Sequence, residues 1–189
     1  MRTCLLITII AVLTTCNSKK NDESLANEEG ITRISKTVID TPPPPPSGKI
    51  DIETFGDLKL GQASAETIKV LGEPDSKGRA IEWSADGLMH QDWVWKAKGL
   101  VLNMSYDKAD PGNTAIIYTI TAQAPCTYKT KAGMGLGSTY AEVQQAYKKD
   151  IDPEATDATQ ITVGSVYGGI IFSFTNDKAS RIFVGAEAE

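Results

Sequence analysis

The chain carries a single histidine, His90, with Asp86 four residues before it and Asp92 two residues after. An imidazole beside a carboxylate can shuttle protons or bind a metal. One histidine on a polar strand face is ordinarily a solvent-exposed side chain, and that is the expectation for His90. A second candidate is Cys126, in "QAPCTY". A nucleophilic thiol needs a base or a cationic setting, and the lone histidine is far away in sequence, so Cys126 reads as structural. Asp150, Asp152, Glu154 and Asp157 form "DIDPEATD". Carboxylates at alternate positions can hold Ca²⁺, but Ala155 stands where the EF-hand loop needs glycine and Ile161 where it needs glutamate. The run reads as a solvated acidic loop. "GMGLGST" at 133–139 has the glycines of a phosphate loop without its lysine or its parallel βαβ setting. Ser165, in "VGSVYGG", does not fit the Gly-x-Ser-x-Gly elbow. No catalytic group, metal or cofactor is implied, and the chain reads as a non-enzyme.

The aromatic residues carry the other possible chemistry. All three tryptophans, Trp83, Trp93 and Trp95, fall within thirteen consecutive positions, 83–95. Tryptophan is a favoured anchor of protein interfaces. A hairpin turning at Lys98-Gly99 would pair Trp95 with Leu102 and Trp93 with Met104. Asp92, Val94, Lys96, Asn103 and Ser105 would then occupy the opposite face, because strand residues alternate. That arrangement suits either a structural core or a partner-binding platform, and the sequence leaves both open.

The elements that must position these residues lie beyond residue 50. "SAETIKVL" at 64–71 places Thr67, Val70 and Leu71 on one helical stripe, and Val143, Ala146 and Tyr147 hold the same places in "YAEVQQAY". Thr139 with Glu142 forms a capping box, and Gly72 with Pro74 ends the first helix. "LGQASAE" at 60–66 and "LGSTYAE" at 136–142 repeat one another at an offset of 76 residues. Each helix is followed by candidate strands: 80–83, 93–106 and 115–122 after the first, 163–174 and 180–186 after the second. Gly99 and Gly169 are the expected hairpin apices. The expected fold class is α+β, a tandem repeat of a short helix packed on a 3–4-stranded antiparallel sheet, with repeats at 50–125 and 126–189. Leu71 and Tyr147 are expected to be buried beneath the sheets.

The start of the chain differs in kind. Arg2 precedes the apolar run "LLITIIAVL" at 5–13. Nine helical residues span about 14 Å, too short for a hydrocarbon core of about 30 Å, so 1–15 reads as a cleaved signal. "LTTC" at 13–16 resembles the bacterial lipobox. The resemblance implies cleavage before Cys16 and acylation of Cys16, hence a membrane link through an N-terminal lipid. Asn17 follows, where the inner-membrane retention signal of that family has aspartate, which implies the outer membrane. Residues 16–49 form a polar tether ending in "TPPPPPSGK", whose prolines favour an extended spacer. Cys4 leaves with the signal, so Cys126 has no intrachain partner.

The 189 residues hold 19 basic and 24 acidic groups, a formal charge of −5. Residues 17–49 contain five of each, so the acidic excess belongs to 50–189, with 13 against 19. No basic stripe is present, which argues against nucleic-acid binding. The two "LG…AE" segments, with "LGQASAETIKVLGEP" at 60–74, resemble the β-lactamase inhibitor protein fold and its single-copy relatives, the small outer-membrane lipoproteins of the β-barrel assembly machinery. The resemblance implies a lipid-anchored envelope protein that binds another envelope or secreted protein and catalyses nothing. Its other implication is a specific inhibitor of an exported hydrolase.

Overall fold

The computed structural model describes residues 54–110 and 115–186. The signal at 1–15, Cys16 and the tether at 16–49 lie outside the described residues. Two helices and eight strands follow in chain order: α1 (Ser64–Leu71), β1 (Ser76–Lys77), β2 (Ile81–Glu82), β3 (Met89–Trp95), β4 (Leu100–Tyr106), β5 (Ile116–Gln123), α2 (Tyr140–Ala146), β6 (Gln160–Ser165), β7 (Gly168–Thr175) and β8 (Lys178–Gly185). All strands join one antiparallel sheet in the order β1-β3-β4-β5-β8-β7-β6, with β2 also pairing β3.

This corrects the expected fold class. A tandem repeat of a helix on its own 3–4-stranded sheet does not form. β5 pairs with β8 from Ile120↔Val184 to Gln123↔Arg181, so strands from 50–125 and 126–189 build one eight-stranded, sheet-dominated layer. The physical reason is edge satisfaction. Separate small sheets would leave the backbone groups of β5 and β8 unpaired at two apolar edges. Joining them pairs those groups and buries both strands. Patterning within single strands carries no record of which strand lies beside which.

Alternation sorts the side chains into two faces. Trp93, Trp95, Leu100, Leu102, Met104, Ile117, Ile120, Ile161, Val163, Ile170, Phe172, Ile182 and Val184 belong to one continuous core, together with Leu71 of α1, Val143 of α2 and Tyr147 at the end of α2. Both helices therefore close the same side of the sheet. Leu71 and Tyr147 are buried, as the stripe predicts, but Val70 is 41% exposed and Ala146 is exposed too. Helices of eight and seven residues turn only a narrow face inward, so the i+3 position falls outside it. Thr139 caps α2 through the reciprocal box with Glu142, whereas Ala63 gives α1 no side-chain cap. The start of α1 is instead tied to the strand layer, Ser64 donating its N–H to the Ala115 carbonyl at 2.8 Å.

Both expected hairpin turns need adjustment. Trp95 pairs with Leu100 and Trp93 with Leu102, two residues away from the anticipated register. Lys96–Lys98 forms a 3-10 turn and Gly99 adopts left-handed backbone at φ 61°. The loop thus consumes four residues and brings Leu100 opposite Trp95. A two-residue shift preserves side-chain parity, so the faces are as anticipated although the partners are not. Gly99 is required twice over: its φ is positive, and a Cβ there would collide with the backbone of Gln123 and Pro125. In the second hairpin, Ser165 pairs with Gly168, so Val166 and Tyr167 form the turn. Gly169 lies inside β7, opposite Gly164, where a Cβ would strike the Val163 carbonyl.

Candidate functional site

The side of the sheet away from the helices is only partly covered. A cleft of about 550 Å³ opens on it, lined by residues of β3, β4, β5 and β8 and by the 78–83 segment that brings Arg79, Ile81 and Trp83 to its rim. His90, Asp92, Val101, Asn103, Thr119, Thr121, Arg181 and Phe183 line it from the strands. A second cleft of about 350 Å³ shares Ala186 with it and is lined by Leu60, Ile116, Tyr118 and Tyr167 among others.

A connected polar chain lies along the first cleft. Asp86 Oδ2 stands 3.0 Å from His90 Nε2, and Asn103 Oδ1 stands 2.7 Å from His90 Nδ1. Asn103 Nδ2 donates to Asp92 Oδ1 at 2.8 Å. Since the Asn103 amide nitrogen faces Asp92, its oxygen faces the imidazole. Both ring nitrogens of His90 therefore meet acceptor oxygens. A doubly protonated ring satisfies both with donated bonds, whereas a neutral ring donates only one. Asp86 is drawn in two directions: burial raises its carboxyl, but the Leu88 N–H and His90 lower it and prevail.

His90 is 2% exposed, against the expectation of an exposed side chain. Trp83 covers it, its ring stacked at 3.6 Å and 7°. The Tyr118 ring meets both edge-on, at 4.7 Å from His90 and 5.6 Å from Trp83. The sequence motif predicted the neighbourhood of Asp86, His90 and Asp92 but not its burial, because the cover comes from a separate segment.

The three tryptophans divide between the faces. Trp93 and Trp95 are 7% and 3% exposed and belong to the helix-side core. Trp95 Nε1 donates to the Gly72 carbonyl at 3.0 Å, joining β3 to the end of α1, and Trp93 Nε1 donates to Gln91 Oε1. The Lys77 ammonium sits 3.7 Å over the Trp93 ring. Trp83 alone lines the open cleft. Among the lining residues missed in the sequence are Thr119 and Thr121 of β5 and Arg181 and Phe183 of β8. They reach one site only because β5 pairs with β8. Alternation along β5 and β8 gives their shared face, but nothing in a single strand announces the pairing.

The remaining candidates are accounted for by local structure. Gly133, Met134, Gly135 and Gly137 of "GMGLGST" donate their N–H groups to Thr130 O, Thr130 Oγ1, Ser138 Oγ and Ala179 O, so these amides are engaged within the chain. Asp152 and Asp157 accept from the backbone N–H groups of Glu154 and Thr159. Ser165 Oγ accepts from the Tyr167 N–H at 3.3 Å. Cys126 is buried, and burial pushes its thiol up, away from the reactive thiolate. Among the described residues no group of three or more His, Cys, Asp or Glu is arranged to hold a metal ion, and no helix is long and apolar enough to cross a membrane.

Comparison of the chain with protein-family models, with curated proteins and with solved structures returns no match.

Proposed function

We propose that this is a lipid-anchored protein of the cell envelope that binds another protein, without catalysis, through the open face of its sheet. One observation carries the reading. Among the described residues four large apolar side chains are exposed: Val70, Ile81, Ile116 and Tyr167. Three of the four line two clefts that share Ala186, Ile81 in the larger and Ile116 and Tyr167 in the smaller. Scattered apolar residues mean little, but a grouping on one concave surface marks an interaction site. Trp83 beside Ile81 adds an aromatic anchor of the kind interfaces favour. The lipid anchor rests on "LTTC" at 13–16, and the 16–49 tether is the spacer that lets the domain work away from the membrane. The engagement of both His90 ring nitrogens and the burial of Cys126 support a non-enzymatic role.

The test is site-specific photocrosslinking in intact envelopes. A photoreactive residue at Ile81 or Tyr167 should yield a discrete protein adduct, and one at Val70 on α1 should not. An adduct with an envelope assembly component supports an assembly module; a secreted hydrolase points to an inhibitor. Equal labelling from all three positions, or none, overturns the reading. Cys16→Ser should release the domain from membranes or block its processing.

A further inference from the structure

His90 is the single histidine of the chain and is almost wholly buried. Among the described residues, the 83–88 turn sets Asp86 beside its Nε2 and the Trp83 ring flat above it at 3.6 Å. β4 sets Asn103 beside Nδ1 and Ser105 opposite in the ladder. β5 supplies the Tyr118 ring, edge-on. β2 pairs Ile81 with His90, while Glu82 of that strand meets Lys108 at 2.8 Å. Asp92, Arg79 and Arg181 line the same cleft.

A carboxylate stands at each end of this chain of bonds. Asp86 Oδ1 accepts from the Leu88 N–H at 2.9 Å while Oδ2 stands at the imidazole. Burial raises the Asp86 carboxyl, but the Leu88 N–H and His90 hold it below its ordinary value. At the other end Asp92 Oδ1 accepts from Asn103 Nδ2 at 2.8 Å. A carboxylate can only accept. Asp92 therefore turns the Asn103 oxygen toward Nδ1, and Asp86 calls for a proton on Nε2. The ring satisfies both neighbours only with two protons, and a cation is also what the face of Trp83 attracts.

We propose that this network is the imidazolium form of the domain, and that loss of the proton from His90 Nδ1 turns the Asn103 amide over and releases Asp92, a pH-operated relay in the wall of the cleft. Nε2 keeps its proton because the Asp86 carboxylate is a stronger acceptor than an amide oxygen. Once the Nδ1 proton has left for solvent, Nδ1 and Asn103 Oδ1 are two acceptors face to face. The amide rotates to donate to Nδ1, which aims its oxygen at Asp92 and breaks that bond. The cleft wall loses one positive charge, and the Asp92 carboxylate loses its donor. The intact network belongs to the low-pH side: its contribution is complete while the ring holds two protons and is lost as pH rises through the imidazole titration. Docking on this wall then depends on pH, although the relay itself needs no partner.

Heteronuclear NMR of the full purified chain in detergent tests the relay, and a single histidine makes its ring signals unambiguous. On the acid side both ring nitrogens should carry protons. As pH rises, Nδ1 should lose its proton and Nε2 should keep its own. The Asn103 side-chain amide, identified by asparagine-selective labelling and by its loss in Asn103→Leu, should shift with the same midpoint. Asn103→Leu leaves every charge in place but removes the acceptor at Nδ1, so it should move the His90 midpoint to lower pH. Asp92→Ala, at an exposed position, frees the amide to turn and should move it the same way with an unchanged melting temperature, which covers the case in which the leucine variant does not fold. A ring with one proton at every pH at which the domain is folded overturns the proposal. So does loss of the Nε2 proton first, an Asn103 amide that does not follow the transition, or a midpoint unmoved in the folded variants.

Discussion

Thr162 of β6 and Asn103 of β4 occupy the same face of one sheet and meet different neighbours. Over β6 the chain folds back on itself. Thr162 Oγ1 donates to the Ala155 carbonyl at 2.7 Å, its N–H is accepted by Thr156 Oγ1 at 3.0 Å, and its carbonyl accepts from the Asp152 N–H at 2.9 Å. Thr162 and its cross-strand neighbour Ile171 are both fully buried. Over β4 and β5 the cover stops at Trp83, and Thr119 and Thr121 line the larger cleft. The acidic loop that reads as solvated in the sequence thus turns its backbone and its small residues inward while its carboxylates stay at turns. One half of this face is finished by its own chain. The other half carries no such cover among the described residues, and it is there that the larger cleft opens.

The two faces differ most at two tryptophans, Trp95 of β3 on the helix side and Trp83 over the open side. Trp95→Ala removes a buried indole and its bond to Gly72, and truncation of a core aromatic costs about 3–5 kcal/mol. Trp83→Ala removes a half-buried ring and a stack worth about 0.5–1.5 kcal/mol beyond its area. Denaturant melts should therefore rank Trp95→Ala well below Trp83→Ala in stability. Equal losses would mean that the open face is as much core as the helix side.

A smaller effect sharpens the contrast along the open face itself. Thr162→Val keeps the shape but removes the 2.7 Å bond to the part-buried Ala155 carbonyl, which keeps only the long 3.5 Å contact from Gln160 Nε2, a loss of about 1 kcal/mol. Thr121→Val, in the cleft, should change stability by less than about 0.5 kcal/mol. Thermal unfolding of the two variants checks this. A large loss at Thr121 would show that the cleft lining is structural.

The smallest expected difference is in acid. Asp86 and Asp157 both have carboxyls held below the ordinary range. In Asp86 burial opposes this, but the Leu88 N–H and His90 prevail; in Asp157 the Thr159 N–H leads, followed by the Thr159 hydroxyl. A depressed carboxyl contributes stability above its unfolded value of about 3.9 and loses it as pH falls through the folded value. Asp86→Asn and Asp157→Asn should therefore each lie below the parent in stability at neutral pH and converge on it below about pH 3.9. Stability-versus-pH curves decide this, and a gap that widens in acid would contradict the sign.

Much of the layout was legible because it is local. The parity that puts Trp93, Trp95, Leu100 and Leu102 on one face follows from alternation alone, and it survives even though the turn at 96–99 shifts their pairing by two residues. The capping of α2 was written in Thr139 and Glu142. The limits are equally physical. The anticipated repeats dissolve into one sheet because β5 meets β8, a contact between segments about sixty residues apart that no window along the chain spans. His90 and Asp86 advertise themselves at i, i+4, but the burial of the ring depends on Trp83 folding over it. The cleft itself exists only through the β5–β8 junction, so its lining residues from β5 and β8 had no sequence signal.

That junction also governs the order in which the molecule can be assembled. β8 is the last of the described strands to be made, yet it lies inside the sheet between β5 and β7. A nascent chain that has emerged only as far as Asp177 holds β3 to β5 and β6 to β7 as two ribbons with raw inner edges, each open to pairing with other chains. Closure awaits the insertion of one late strand between them. Strand insertion over such separations is slow compared with local hairpin formation.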